Sequence, residues 1–179
     1  MNNQICPKPI ITKQVADSLT EDLSGHPDWT AKLIPEDSTV TAEIKTKEDM
    51  IVCGIAWATE AFVACEPNVK LTWQVSDGDS VSVGTTLCTI TGLARGILTA
   101  ERTALNFLQT LSATATIVSK YVALVKDEPV KIMDTRKTIP GLRLAQKYAV
   151  TVGGGYNQRV GLYDGVLIKE NHIMACWFI

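Results

Sequence analysis

Two architectures in succession are predicted by this 179-residue sequence: an α+β layer with an antiparallel sheet over residues 1–112, then the start of an α/β barrel over 113–179. Three observations carry this. Apolar and polar residues alternate cleanly at 38–46 and 69–75, with glycine-bearing turns after the second run. From Thr99 the apolar period becomes helical. After Pro129 the order is apolar run, helix, glycine run, apolar run, which is the rhythm of parallel α/β structure.

In chain order, Ile11, Val15 and Leu19 form one stripe of a helix over 12–24 that Gly25 stops. Over 38–46, Val40, Ala42 and Ile44 oppose Thr39, Thr41, Glu43 and Lys45, predicting a half-buried strand. A second strand is expected at 50–55 and a short helix near 56–65. Val69, Leu71, Trp73 and Val75 then alternate with Lys70, Thr72 and Gln74. Asp77-Gly78-Asp79 turns the chain into SVSV, and Gly84 turns it into TLCTI. A hairpin turn is favoured there over a metal loop.

Leu105, Leu108 and Leu111 predict one helix and Val118, Val122 and Val125 another, with Ser112 capping the second. VKIMD (130–134) reads as a buried strand. Thr138 and Pro140 start a helix with Leu142, Ala145 and Ala149 on its apolar face, ending at Gly153-Gly154-Gly155. GVLI (165–168) reads as a further buried strand.

A 46% hydrophobic, 20% charged chain has enough apolar surface to fold, and its net charge of −2 argues against general adhesion to nucleic acid or membrane. The charge is unevenly placed, with a balance of −6 over 1–130 and +4 over 131–179. Five cysteines without a CxxC pair, and only two histidines, build neither a disulfide framework nor a zinc site. No signal peptide or membrane span is apparent, so a cytoplasmic location is expected.

Functional residues of α/β barrels lie on loops after the C-terminal ends of strands. VKIMD is followed by Thr135, Arg136, Lys137 and Thr138, and GVLI by Lys169, Glu170, Asn171 and His172. The glycine run leads to Asn157, Gln158 and Arg159. Two arginines and two lysines on one rim suit a ligand with several anionic groups, because guanidinium grips carboxylate and phosphate by a two-pronged fork. Taken singly, each cation is more readily a solvated surface charge, His172 a structural residue and the glycine run a helix cap.

The runs ERTALNFLQTLSATAT, DTRKTIPGLRLAQKYAV, GGGYNQR and DGVLIKENH, in this order and spacing, strongly resemble the quinolinate phosphoribosyltransferase family. The resemblance implies a type II phosphoribosyltransferase with an N-terminal α/β sandwich and a C-terminal α/β barrel. It implies transfer from phosphoribosyl pyrophosphate to quinolinate with Mg²⁺, followed by decarboxylation to nicotinate mononucleotide for NAD synthesis. Thr135, Arg136, Lys137, Gln158, Arg159 and Lys169 fall on substrate-binding positions, with Lys137 and Lys169 catalytic. Arg102 falls on the arginine that similar enzymes deliver across a homodimer interface.

Gln158 stands where the family usually has histidine, which removes a chargeable group. The family continues beyond KENH, so the Mg²⁺ ligands and phosphate loops are expected downstream, with no metal ligand in this chain. Ala175-Cys176-Trp177-Phe178-Ile179 also departs from the family's glycine-containing continuation. The expectation is a truncated or frameshifted product, inactive and poorly soluble. Its alternative functions are a non-catalytic remnant or a biotinyl/lipoyl-like binding module, which VSDGDSVSVGTTLCTITG resembles. Such modules need a modifiable lysine at a hairpin tip, and residues 71–94 contain none.

Overall fold

Pro7 opens the first helix and Ser24, in the left-handed region at φ 48°, closes it, so α1 runs Lys8–Leu23 with Val15 buried. The computed structural model describes residues 6–176; the N-terminal pentapeptide and Trp177, Phe178 and Ile179 lie outside the described residues. A 3₁₀ turn at Ala31–Leu33 leads to β1 (Thr39–Lys45), then β2 (Met50–Ile51), α2 (Ile55–Cys65) and β3 (Lys70–Trp73). β4 (Ser80–Val81) and β5 (Thr86–Leu93) follow. The helices α3 (Ala94–Leu124), α4 (Arg143–Val152) and α5 (Glu170–Cys176) complete the described chain.

The alternating runs form the antiparallel sheet as expected, but they pair differently from their order in sequence. β5 is central, with β1 on one side (Thr39 opposite Leu93) and β3 on the other (Lys70 opposite Thr91). β4 pairs with β2 and not with its neighbour β3. Asp77-Gly78-Asp79 is therefore a tight turn between two strand pairs, not the tip of a hairpin. Gly78 takes φ 100°, and Asp79 Oδ2 accepts the Ser76 N–H at 2.7 Å.

β5 supplies Leu87, Cys88 and Ile90 to the core. Against it lie Trp57, Ala58, Ala61 and Phe62 of α2 and the Ile97, Ala104, Leu108 and Leu111 stripe of α3. Alanines on both helices let α2 and α3 approach closely.

Residues 94–124 form one unbroken helix, which corrects the expectation of two helices with Ser112 between them. Ser112 is buried in mid-helix. Its hydroxyl accepts the Cys53 N–H at 2.9 Å and donates to the Cys53 carbonyl at 3.0 Å. One turn on, Thr116 Oγ1 accepts the Ile51 N–H at 2.9 Å. These hydroxyls satisfy backbone groups that the two-residue β2 leaves without a ladder partner.

The Val118 and Val122 stripe covers the glycine run that closes α4. A Cβ built on Gly153 would overlap the Ala115 carbonyl, so glycine is required where α4 ends against α3. Gly154 takes φ 87° beyond the Gly153 cap, the structural role weighed above for this run.

VKIMD and GVLI are not strands, which corrects both expectations. The first makes a single parallel bridge, Met133 to Tyr156, and Met133 is half exposed. Val166 is 92% exposed, and residues 165–168 pair with nothing among the described residues. An apolar run becomes a parallel strand only when flanked by partners and covered on both faces, and no such neighbours are present among the described residues. No barrel closes there, and no strand edge is present at 165–168.

Asp77 joins the two halves. Its Oδ1 accepts the Gly54 and Ile55 N–H groups at the start of α2, and its Oδ2 accepts the Tyr148 hydroxyl of α4 at 2.7 Å. Burial raises its pKa above the ordinary 3.8, although these three donors oppose the rise. The folded carboxyl thus binds its proton more tightly than the unfolded one. Its contribution to stability is full below the unfolded pKa and is lost as pH rises through the folded value. Asp77→Asn should therefore gain stability relative to the parent between pH 4 and pH 7, read by urea unfolding at both. A difference independent of pH would refute this.

Candidate anion-binding site

The loop 135–139 is ordered by its own bonds and by α4. Thr135 Oγ1 accepts the Lys137 N–H at 3.1 Å, and Gln146 Oε1 accepts the Ile139 N–H at 2.7 Å. Arg143 reaches two loops at once, donating through Nε to Thr138 Oγ1 at 3.3 Å and through Nη1 to the Val160 carbonyl at 3.2 Å. The segments 132–134 and 156–158 run side by side, tied by Tyr156 N–H to Ile132 O (2.9 Å) and Asp134 N–H to Tyr156 O (3.0 Å).

A buried ion pair lies beneath them. Lys147 Nζ sits 2.6 Å from Asp134 Oδ1, and their side chains are 0% and 6% exposed. Lys147 also donates to the Gln158 carbonyl at 3.1 Å, while Asp134 Oδ1 accepts the Gln158 N–H at 2.8 Å. The Asn157 amide nitrogen faces Asp134 Oδ2 and the Lys147 carbonyl. With both charges out of water, the pair holds only because each is also hydrogen-bonded.

This network ties the backbone just before Thr135, Arg136 and Lys137 to the backbone of Gln158, just before Arg159. Arg136 is half-buried, and its Nε is a buried donor with no partner. Arg159 Nη1 donates to the Gly165 carbonyl at 2.9 Å. Lys137 and Gln158 present exposed side chains. Lys169 is exposed before α5, its N–H bonded to His172 Nδ1 at 3.1 Å, which gives His172 the structural role of holding that helix start. Among the described residues, no side-chain hydrogen bond is found from Lys169 to the loops that carry the two arginines. Arg102 stands apart on α3, exposed, in a cleft of about 510 Å³ beside Gly141 and the acidic Asp17, Glu21 and Asp22 of α1.

Sequence reasoning missed Asp134, Arg143 and Lys147. The isolated lysine of QKYAV reads as a surface charge, and no periodicity marks it as buried.

The carboxylates nearest the cationic loops are committed. Asp134 is engaged as above, and Asp164 accepts the Val160 and Gly161 N–H groups at 2.7 and 2.9 Å, which hold its carboxyl below the usual range. No group of three His, Cys, Asp or Glu side chains placed to hold a metal ion is found among the described residues. Mg²⁺ takes hard oxygen ligands that include one or two available carboxylates, so the described residues do not fit the ion.

Comparison with known proteins gives this arrangement its class. Residues 28–112 match "Quinolinate phosphoribosyl transferase, N-terminal domain" and residues 114–177 the corresponding "C-terminal domain". The chain is 44% identical over 156 residues to the "Probable nicotinate-nucleotide pyrophosphorylase [carboxylating]" of Bacillus subtilis, covering 87% of this chain and 54% of that protein. It is 44% identical over 159 residues to "Quinolinate phosphoribosyltransferase [decarboxylating] 2a, mitochondrial" of Nicotiana tabacum, covering 88% and 45%. The solved nicotinate-nucleotide pyrophosphorylase of Francisella tularensis superposes with a TM-score of 0.89 at 48% identity, over 94% of this chain and 60% of that one. The chain spans about half the length of the curated relatives it matches.

An N-terminal α+β domain leading into the start of a C-terminal domain is thus the fold seen in phosphoribosyltransferases. The chain belongs to the quinolinate phosphoribosyltransferase family, which generally uses Mg²⁺. No described helix is long and apolar enough to cross a membrane.

Proposed function

We propose that the chain carries the cationic face of a site for phosphoribosyl transfer from phosphoribosyl pyrophosphate to quinolinate, with decarboxylation to nicotinate mononucleotide, CO₂ and pyrophosphate. The observation that carries this is the Arg136 Nε, a buried donor left without a partner one loop from Arg159. A buried guanidinium donor is costly until an acceptor arrives, and a carboxylate of the ligand supplies it.

In this reading Arg136 and Arg159 grip the two carboxylates of quinolinate, while Thr135 and Gln158 add neutral hydrogen bonds. Lys137 and Lys169, mobile point charges, neutralise the phosphates and the departing pyrophosphate as the sugar gains oxocarbenium character. Positioning and electrostatics do this work, without a covalent intermediate.

A homodimer is proposed as the working unit. A groove of about 1090 Å³ runs between β1 and α3, lined by Val40, Ile44, Leu98, Leu105 and Ile117, with Arg102 at its edge. A second copy covering it would take Arg102 into the neighbouring site. Sedimentation at micromolar concentration should show a dimer, and a monomer with intact ligand binding would refute it.

Isothermal titration of quinolinate onto the purified chain tests the site. Arg136→Lys should weaken binding by about 1.5–3 kcal/mol, the range for a charged hydrogen bond, because lysine does not reproduce the fork. An unchanged isotherm would sink the assignment.

A further inference from the structure

Both cation-bearing loops close on one buried ion pair. We infer that Asp134 and Lys147 are positioning residues that fix the separation of Arg136 and Arg159, and so select ligands with two carboxylates over ligands with one. The selectivity rests on the function proposed above; the clamp does not.

Asp134 stands two residues before Arg136, and Gln158 one residue before Arg159. Asp134 Oδ1 receives Lys147 Nζ at 2.6 Å and the Gln158 N–H at 2.8 Å, while Nζ also holds the Gln158 carbonyl at 3.1 Å. Each loop therefore starts its cationic segment from the same pair of charges. Packing alone does not explain them, since apolar residues of similar volume often stabilise as well as a buried ion pair. α4 already buries Ala145 and Ala149 without any charge. What an apolar pair lacks is a directional tie at the start of the two loops, beside the Met133–Tyr156 bridge; Arg143 spans them only farther along, from Thr138 to Val160.

A rigid aromatic dicarboxylate gripped by two guanidiniums demands a fixed spacing between them, and a change of spacing forfeits one of the two charged pairs, about tenfold or more in affinity. A monocarboxylate needs one guanidinium and tolerates the change.

The test is the double variant Asp134→Asn/Lys147→Met of the full chain, neutral at both positions and close in volume. Quinolinate and nicotinate are titrated onto it, and amide hydrogen exchange is followed. Quinolinate affinity should fall by about tenfold or more while nicotinate affinity moves less than about twofold, because only the first ligand spans both loops. The amides of 132–138 and 156–158 should exchange faster together while those of α2 and β5 keep their protection. Equal losses for the two ligands, or no loss for quinolinate, overturn the selectivity. Unchanged exchange in both loops overturns the clamp. If the parent chain does not bind quinolinate, the proposed function and the selectivity built on it both fall, and the exchange result decides the clamp alone. Asp134→Asn/Lys147→Gln, which also leaves no unpaired buried charge and keeps polar groups at both positions, carries the same measurements should the first double variant not fold.

Discussion

Lys147→Met should destabilise the chain by about 3 kcal/mol, the lower end of the range for breaking a buried ion pair from one side. The substitution leaves the Asp134 carboxylate 6% exposed with no counter-charge. The lower end applies because the Gln158 N–H and the Asn157 amide still donate to that carboxylate. The double change with Asp134→Asn should recover most of the loss, since an unpaired charge is far more destabilising than a missing pair. Urea unfolding of the two single variants and the double one, arranged as a cycle, measures this directly. Near-additive losses would show that the two side chains do not act as a pair.

Trp57→Ala should be of similar or greater size, about 3–5 kcal/mol, the range for truncating a buried large aromatic. Trp57 is 1% exposed in the first turn of α2, and its ring meets that of Tyr148 at 5.6 Å between centroids. Its Nε1 donates to Gln14 Oε1 at 2.8 Å, and the Gln14 amide reaches on to the Gly141 carbonyl at 2.7 Å. The alanine variant therefore loses packing under α4 and frees α1 from the turn that precedes α4. Trp57→Phe keeps the ring but strands the Gln14 acceptor, so about 1–2 kcal/mol is expected for it. Thermal melts that rank the phenylalanine variant below the alanine one would refute this account.

The N-terminal sheet was legible because its signals are local: period-two alternation over 39–45 and 70–73 sets which residues face the core, and glycines set the turns. The pairing of β3 with β5 and of β4 with β2 was not legible, since the two-residue β2 and β4 carry too little pattern to choose partners. Ser112 misled for a physical reason. A serine inside a helical stretch reads as a cap unless its hydroxyl has a distant backbone to serve, and Cys53 is fifty-nine residues away. VKIMD and GVLI misled because apolar content reports a wish for burial, not the partners that provide it.

At the site, the exposed cations Lys137 and Lys169 and the arginines were visible as a basic segment. The residues that organise them were hidden. A buried lysine is defined by what surrounds it, and Asp134 and Gln158 approach it only after the chain folds back through α4.

The uninterrupted α3 has a consequence for how this chain tolerates change in length. Its 31 residues span about 46 Å at 1.5 Å each. Arg102, the hydroxyls of Ser112 and Thr116, and the valines facing the glycine run are fixed on it at set angles. One inserted residue near its middle would turn everything beyond by about 100° and advance it by about 1.5 Å. Val118 would swing away from Gly153, and α4 with both cationic loops would lose its seat, although no side chain had been altered. The neighbouring stretch 125–130 has no such angular phase to keep. Additions and deletions between the two halves should therefore be absorbed after Leu124 and excluded before it.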